Sequence, residues 1–265
     1  NMKSYIEAID KTRPITVGDN NPGGLANANT TEFRNKVSTV LAKNGEGLAG
    51  ANYSMGAMSG IHNTHPDWKI IATETASPSN SRGIYNTLSQ YNKTGDYQCT
   101  AYDTNAVSWG NTARESWWYT IKDDFVSGEF IWTGFDYIGE PTPWNGTDKG
   151  SVSGDKLAVP NSSYFGVIDT AGFEKDSFYF YPSQWREDKK TLHVVPQSWN
   201  AEDLSISGGK VPVYVYSNAA KVELYLNDKL IGTSTRTPIT TAAGHEWATY
   251  SNVSNDADQC TAVNE

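Results

Sequence analysis

The most informative segment of this chain is Lys69-Ile70-Ile71-Ala72-Thr73-Glu74-Thr75-Ala76-Ser77, an apolar, β-branched run that ends at a carboxylate flanked by small polar residues. Short apolar runs of this kind are typical of buried parallel strands. In barrels and open α/β sheets, catalytic groups concentrate just beyond the carboxyl ends of such strands. Because a buried carboxylate without a partner is costly, Glu74 is a candidate catalytic residue.

A second strand of the same design is Glu129-Phe130-Ile131-Trp132-Thr133-Gly134-Phe135-Asp136-Tyr137, which ends in Trp, Asp and Tyr. The composition supports a common purpose, since nine Trp and 15 Tyr stand against eight Phe. Trp and Tyr pack on the apolar faces of sugar rings while their N–H and O–H groups stay hydrated. Carboxylates and a Trp at neighbouring strand ends therefore predict a carbohydrate site.

The order of elements predicts an α/β fold followed by an all-β module. Strand and helix patterns alternate over residues 1–188, with strands predicted at 15–17, 48–53, 69–74 and 129–132, and helices at 2–11, 31–41, 113–122 and 177–185. From residue 189 the segments 192–195, 211–216 and 221–226 alternate apolar and polar residues without an intervening helix. Asn227-Asp228 is a hairpin turn signal. We therefore predict two domains, residues 1–188 and 189–265.

The first domain contains too few units for a complete barrel. A (β/α)₈ TIM barrel takes about 250 residues and eight strand–helix units, whereas about four precede residue 189. We expect the second half of such a barrel, followed by a truncated immunoglobulin-like sandwich. The chain is then expected to be a fragment whose partner is the remainder of the same polypeptide, the N-terminal half of the barrel.

Composition and charge exclude several classes of function. The net charge of −9 argues against nucleic acid or an anionic membrane as the main partner. No apolar run reaches the roughly 20 residues that a membrane-spanning helix needs. The four histidines have no metal-ligand spacing, and His62 and His65 are expected in a solvated loop. Localisation stays open between cytoplasmic and secreted or cell-surface.

The chain resembles the β-galactosidases of glycoside hydrolase family 2. The resemblance is carried by the motifs Thr12-Arg13-Pro14, Ala51-Asn52-Tyr53, Thr73-Glu74-Thr75, Ser81-Arg82-Gly83, Gly128–Pro141 and Tyr164–Asp169. It implies a retaining hydrolase of terminal β-D-galactosyl residues in which Glu74 is the nucleophile and Tyr53 orients it. The acid/base glutamate is expected upstream of Asn1, because no Asn-Glu pair occurs in the early part of the chain.

The same resemblance assigns the substrate-binding residues. Trp132 would form the floor of the galactose subsite, Trp109 would lie near the site mouth, and Asp136 and Tyr137 would contact sugar hydroxyls or brace the strand end. Glu140 is either the acid or, as the resemblance favours, part of an outer loop. Some family members have Asn where this chain has Phe165, so a contact there must differ. Some also need Mg²⁺ or Na⁺, although no ligand set here requires a cofactor.

Three alternatives remain at this point. One is a β-glucuronidase or β-mannosidase of the same family. A uronic acid would require a cation in the pocket, and only Arg82 and Lys149 follow the strand ends. The second is a non-catalytic carbohydrate-binding protein, which would have no use for an ionised Glu74. The third is an inert truncated product.

Overall fold

The computed structural model describes residues 2–20, 48–88, 97–142, 160–207, 209–240, 246–250 and 263–264. The helix predicted at 31–41 lies outside these residues. The chain divides into two compact units, one formed mainly by residues 1–75 and 116–131 and the other mainly by residues 76–115 and 132–240. Within the part of the chain that is described, no helix is both long and apolar enough to cross a membrane.

The helices and strands follow one another in an order that begins as mixed α/β and ends as all-β. They are α1 (Met2–Ile9), β1 (Gly18–Asp19), β2 (Leu48–Asn52), α2 (Met58–Thr64), β3 (Lys69–Ala76), α3 (Ala113–Ile121), β4 (Val126–Trp132), α4 (Asp176–Trp185), β5 (Leu192–Val195), β6 (Lys210–Val211), β7 (Tyr214–Ser217), β8 (Lys221–Leu226), β9 (Lys229–Thr240), β10 (Glu246–Tyr250) and β11 (Val263–Asn264).

The first unit is built on a four-stranded sheet in the order β1-β2-β3-β4, in which β1 pairs with β2, and β2 with β3, in parallel. Its apolar core joins β2 and β3 to α2 and to the start of β4. The members of this core are Ala49, Ala51, Met55, Met58, Ile61, Trp68, Ile70, Ala72 and Val126. The predicted α/β class with a parallel sheet is thereby confirmed. The half barrel, the immunoglobulin-like sandwich and the boundary at residue 189 stay predictions.

Two predictions for the first unit are wrong. The strand predicted at 15–17 lies instead at Gly18–Asp19, where the ladder with β2 begins at Gly18 and Gly50. Before Gly18 a side chain makes the contact with β2, because the Thr16 hydroxyl donates to the carbonyl of Leu48 at 2.7 Å. His62 was expected in a solvated loop but belongs to the helix α2. Its ring stacks on Phe125 with 4.1 Å between the ring centroids.

The second unit contains antiparallel sheets, with β5 paired to β7 and with β8, β9 and β10 forming a three-stranded sheet. The hairpin predicted at Asn227-Asp228 is confirmed, and both residues have positive φ, 46° and 64°. The strand predicted at 211–216 is interrupted between β6 and β7. Pro212 explains the break because it has no N–H to contribute to a ladder, and its carbonyl instead accepts the Tyr102 hydroxyl at 2.8 Å.

A buried carboxyl group joins α3 to the sheet of the first unit. Glu129 Oε2 accepts the hydroxyls of Thr75 at 3.0 Å and Thr120 at 3.1 Å. Its other oxygen, Oε1, is buried and has no hydrogen-bond partner among the residues that the structure describes. Burial raises the pKa of Glu129 from 4.5 to about 7, against the lowering effect of the two threonines. Glu129 is therefore a structural group that keeps its proton up to a pH of about 7.

The raised pKa of Glu129 predicts a pH-dependent stability. Between pH 4.5 and 7 the folded chain holds a proton that the unfolded chain has released, so stability falls as pH rises through this interval. The full loss, at most about 3 kcal/mol, is reached above pH 7. We expect Glu129→Gln to flatten this dependence in denaturant unfolding followed from pH 5 to 8. Glu202→Gln, at an exposed position, is the matched control, and an unchanged slope in Glu129→Gln would contradict the prediction.

Candidate active site

The Glu74 carboxylate lies near the carboxyl end of β3 and receives hydrogen bonds on both oxygens. The Tyr53 hydroxyl donates to Oε1 at 2.6 Å, and the Asn52 amide donates to Oε2 at 3.3 Å. The backbone N–H of Tyr53 also donates to the carbonyl of Glu74 at 2.9 Å. Donors on both oxygens hold the carboxylate in one orientation. The structure thus brings together Glu74 and Tyr53, as the resemblance implied, while their catalytic roles stay predictions.

Asn52 is a member of this site that the sequence analysis did not identify. In a regular strand, neighbouring side chains point to opposite faces, so Asn52 and Tyr53 were not expected at the same group. Tyr53 has a φ of 52°, in the left-handed region, which turns the chain at the end of β2 and ends the alternation. Non-glycine residues in this region are uncommon and cluster at functional sites. The sequence signal that could have identified Asn52 is that the strand ends in two polar residues, Asn52 and Tyr53.

The second unit contains a chain of polar contacts around Trp132, at the end of β4. Trp132 Nε1 donates to the Tyr137 hydroxyl at 3.3 Å, and the two rings meet edge to face with 5.9 Å between their centroids. The Tyr137 hydroxyl in turn donates to Glu140 Oε2, and the Thr142 hydroxyl donates to Glu140 Oε1 at 2.9 Å. Both oxygens of Glu140 thus accept hydrogen bonds from side chains of the second unit.

Asp136, predicted to contact sugar hydroxyls or to brace the strand end, is engaged with protein groups. Its Oδ2 lies 2.5 Å from Lys175 Nζ, and its Oδ1 accepts the backbone N–H of Gly166 at 2.7 Å and the Ser163 hydroxyl at 3.3 Å. The side chains of Asp136 and Lys175 are only 7% and 2% exposed. Burial raises the pKa of Asp136 and lowers that of Lys175, while their mutual attraction opposes both shifts. These contacts correspond to the bracing role.

Trp109 occupies an exposed turn of the second unit, with half of its surface accessible. The turn is closed by the N–H of Gly110 donating to Val107 and held by the N–H of Asn111 donating to Ala76 at 2.8 Å. A Cβ at Gly110 would lie 2.3 Å from the Ala76 carbonyl oxygen, so only glycine permits this approach. The backbone around Trp109 is held by these hydrogen bonds, whereas its indole ring is exposed. Its role in substrate binding stays a prediction.

Other predicted features are accounted for by local contacts. Arg82 binds Asp169 at 2.7 Å and lies over the Phe173 ring, so it ties down the loop after β3. Phe165, which replaces the family Asn, is buried. Within the residues that the structure covers, no group of three or more His, Cys, Asp or Glu side chains could hold a metal ion.

The fold of this chain is shared with solved structures of α/β glycosidases. A β-glycosidase from Bacteroides vulgatus matches 95% of this chain and 31% of its own, with a TM-score of 0.62 and 24% identity. A β-glucuronidase from Bacteroides uniformis matches 94% of this chain and 27% of its own, with a TM-score of 0.55 and 15% identity.

The particular family follows from the sequence comparisons. The β-galactosidase BoGH2A of Bacteroides ovatus is 35% identical over 243 residues, covering 87% of this chain and 25% of that protein. A β-glucuronidase of Formosa agariphila is 28% identical over 180 residues, covering 66% of this chain and 16% of that protein. Residues 208–253 match the model of a domain of unknown function, DUF4982. The resemblance to glycoside hydrolase family 2 is confirmed, and the chain spans about a quarter of the length of these relatives or less.

The Asp136–Lys175 pair predicts a large effect on stability. We expect Lys175→Met to lower the free energy of unfolding by about 3–5 kcal/mol, because it leaves a buried carboxylate without its cation. Arg82→Met, which breaks the exposed pair with Asp169, should cost at most about 1 kcal/mol and is the matched control. Denaturant unfolding of the two variants measures the difference, and equal losses would show that Asp136 is not held as an ion.

Proposed function

We propose that this chain is part of a retaining glycoside hydrolase that removes terminal β-D-galactosyl residues, with Glu74 as the nucleophile. The observation that carries the proposal is the Glu74 carboxylate near the end of a buried parallel strand, with the Tyr53 hydroxyl at 2.6 Å and the Asn52 amide at 3.3 Å. A carboxylate that two donors hold in place is oriented for attack, which a glycosidic nucleophile needs.

The reaction proceeds in two displacements. One oxygen of Glu74 bonds to the anomeric carbon as the bond from that carbon to the leaving oxygen breaks, and a carboxylic acid protonates the leaving oxygen. The acid/base carboxylate then takes a proton from water, which attacks the anomeric carbon from the face that the leaving group left. The bond from that carbon to Glu74 breaks, and the two inversions together retain the anomeric configuration. The two carboxyl groups of a retaining enzyme stand about 5–5.5 Å apart. In this proposal the acid/base carboxylate comes from outside the 265 residues, as the family resemblance implies.

The proposal includes a larger polypeptide, in which residues 1–188 are the second half of a TIM barrel and residues 189–265 begin an immunoglobulin-like sandwich. Apolar side chains of the first unit support it, because Met2 and Ile9 of α1 are 82% and 89% exposed and Phe130 of β4 is 64% exposed. Such residues are ordinarily covered in a complete α/β barrel. The N-terminal half of the barrel is the proposed cover.

The charges in the second unit favour a neutral sugar over a uronic acid. The Tyr137 hydroxyl, which accepts from Trp132, donates to the Glu140 carboxylate. Lys175 is engaged by Asp136, and Arg82 by Asp169, while Lys149 lies outside the described residues. A glucuronyl carboxylate at the Trp132 surface would thus meet a like charge. β-Glucuronidase remains the second candidate because relatives of this chain carry that name.

Covalent labelling tests the proposal. We expect a 2-deoxy-2-fluoro-β-D-galactosyl compound with an activated leaving group to form a stable adduct on Glu74, located by peptide mass spectrometry. Such a reagent needs the nucleophile but little help from an acid, whose contribution is about 10²–10⁴-fold. The measurement is made on this chain and on a polypeptide extended upstream, with Glu74→Gln as the control.

The outcomes separate the candidates. Labelling by the glucuronic analogue in place of the galactosyl compound would move the assignment to a β-glucuronidase, and labelling by the mannosyl analogue to a β-mannosidase. A folded, extended polypeptide that no analogue labels, but that binds galactosides, would be a non-catalytic carbohydrate-binding protein.

Glu140 gives a separate prediction on specificity. We expect Glu140→Gln to raise the ratio of kcat/KM for a β-glucuronide to that for a β-galactoside about tenfold, because it removes a like charge near the sugar. Glu174→Gln is the matched control, since Glu174 is also a glutamate of the second unit held by a tyrosine, Tyr179, at 2.5 Å. The ratio is measured with nitrophenyl glycosides, and equal ratios in the two variants would remove Glu140 from the sugar site.

A further inference from the structure

The side chain of Asn52 joins Thr73 to Glu74 within the first unit. The Thr73 hydroxyl donates to Asn52 Oδ1 at 2.6 Å, and Asn52 Nδ2 donates to Glu74 Oε2 at 3.3 Å. We call these three side chains the Thr73–Asn52–Glu74 relay. It links the facing ends of β2 and β3, and nothing in the sequence spacing indicates it.

An irregularity in the pairing of β2 and β3 makes the relay possible. Ala51 is opposite Ala72, but Asn52 is opposite Glu74, so Thr73 is an extra residue in β3. In a regular strand, Thr73 and Glu74 would point to opposite faces. A β-bulge re-aims side chains, and here it lets two consecutive residues of β3 contact the same amide.

The Thr73 hydroxyl and the Glu74 carboxylate together determine which way the Asn52 amide faces. A side-chain amide presents an acceptor on one side and donors on the other, and its partners settle the orientation. With Oδ1 accepting from Thr73, the NH₂ group faces the carboxylate. The opposite orientation would set Oδ1 against Glu74 Oε2, two acceptors with no proton between them.

The backbone of β1 limits the amide on another side. A Cβ at Gly18 would lie 3.0 Å from Asn52 Oδ1 and 3.1 Å from Asn52 Nδ2. The absence of a side chain at position 18 therefore leaves room for the amide. Thr73 and the backbone at Gly18 together restrict the positions that the Asn52 side chain can adopt.

We propose that Asn52 is a positioning residue for Glu74 and that Thr73 acts on Glu74 only through Asn52. The terminal torsion of a glutamate is broad, so a carboxylate held at Oε1 alone by Tyr53 can still rotate. The second donor at Oε2 fixes the plane of the carboxylate, and attack on an anomeric carbon depends on such alignment. The catalytic value of the relay rests on the proposed function, whereas the hydrogen bonds themselves do not.

The kinetic test uses covalent labelling of the complete polypeptide that contains this chain. We expect Thr73→Val to lower the labelling rate constant at saturating 2-fluoro-galactosyl reagent about tenfold, with the half-saturating concentration unchanged. Thr73→Ser, which keeps the hydroxyl, should restore the rate. Asn52→Ala should lose about as much, and adding Thr73→Val to it should lose no more, since residues acting through one another are not additive.

Thr16→Val is the matched control. The Thr16 hydroxyl also belongs to the first unit and donates to the carbonyl of Leu48 at 2.7 Å, without contacting the relay. This variant should lower stability while leaving the labelling rate unchanged. If Thr16→Val slows labelling as much as Thr73→Val does, the effect is structural and the relay is overturned.

A spectroscopic test separates the relay from the proposed function. In ¹H–¹⁵N spectra of the 265-residue chain, the Asn52 side-chain amide signal, assigned by its loss in Asn52→Asp, should move in Thr73→Val and in Glu74→Gln but not in Thr16→Val. Shifted amide signals without labelling of the parent would reject the nucleophile and keep the relay. Normal labelling in Thr73→Val and Asn52→Ala would keep the nucleophile and reject the relay.

One further variant covers the case in which Thr73→Val does not fold. Asn52→Asp has the shape of the parent side chain but sets a second carboxylate against Glu74. Labelling should then fall further than in Asn52→Ala, because like charges repel at hydrogen-bond distance. Equal rates in these two variants would show that position 52 does not act on Glu74.

Discussion

The loss of side-chain alternation at the ends of β2 and β3 is the constraint on which the Glu74 site depends. The extra residue Thr73 shifts the register of β3 by one, and the left-handed backbone of Tyr53 turns the chain where β2 ends. Each irregularity brings two consecutive side chains to the same place. Without them, one residue of each pair would face the helix layer, and the Glu74 carboxylate would lose half of its hydrogen bonds.

The same bulge changes what faces the helices. Ile70 and Ala72 belong to the apolar core of the first unit, and after the extra residue it is Thr75 that turns toward this layer, where its hydroxyl donates to Glu129. Thr75, a polar residue, thus occupies the position where an apolar side chain would continue the core. Burying the Glu129 carboxyl as a charged group costs free energy, which is why we expect stability to depend on pH at a residue outside the Glu74 site.

The sequence was sufficient for features that are local. Glu74 was found because it ends an apolar run, and the hairpin at Asn227-Asp228 was found because a tight turn needs residues that tolerate positive φ. Thr73 was missed because a bulge depends on the pairing of two strands and leaves no mark on either one. Asn52 could have been noticed as one of the two polar residues that end β2, but its contact with Glu74 depends on the same pairing.

Lys175 ties together several parts of the second unit. This cation is 2% exposed and bound to Asp136, Asn80 and Tyr164. Releasing it would strand the Asp136 carboxylate, which also holds the backbone of Gly166, and breaking a buried pair costs about 3–5 kcal/mol. Lys175 is therefore committed to bracing the loop after Trp132. If the proposed sugar site lies at Trp132, an acidic sugar would need a cation other than Lys175.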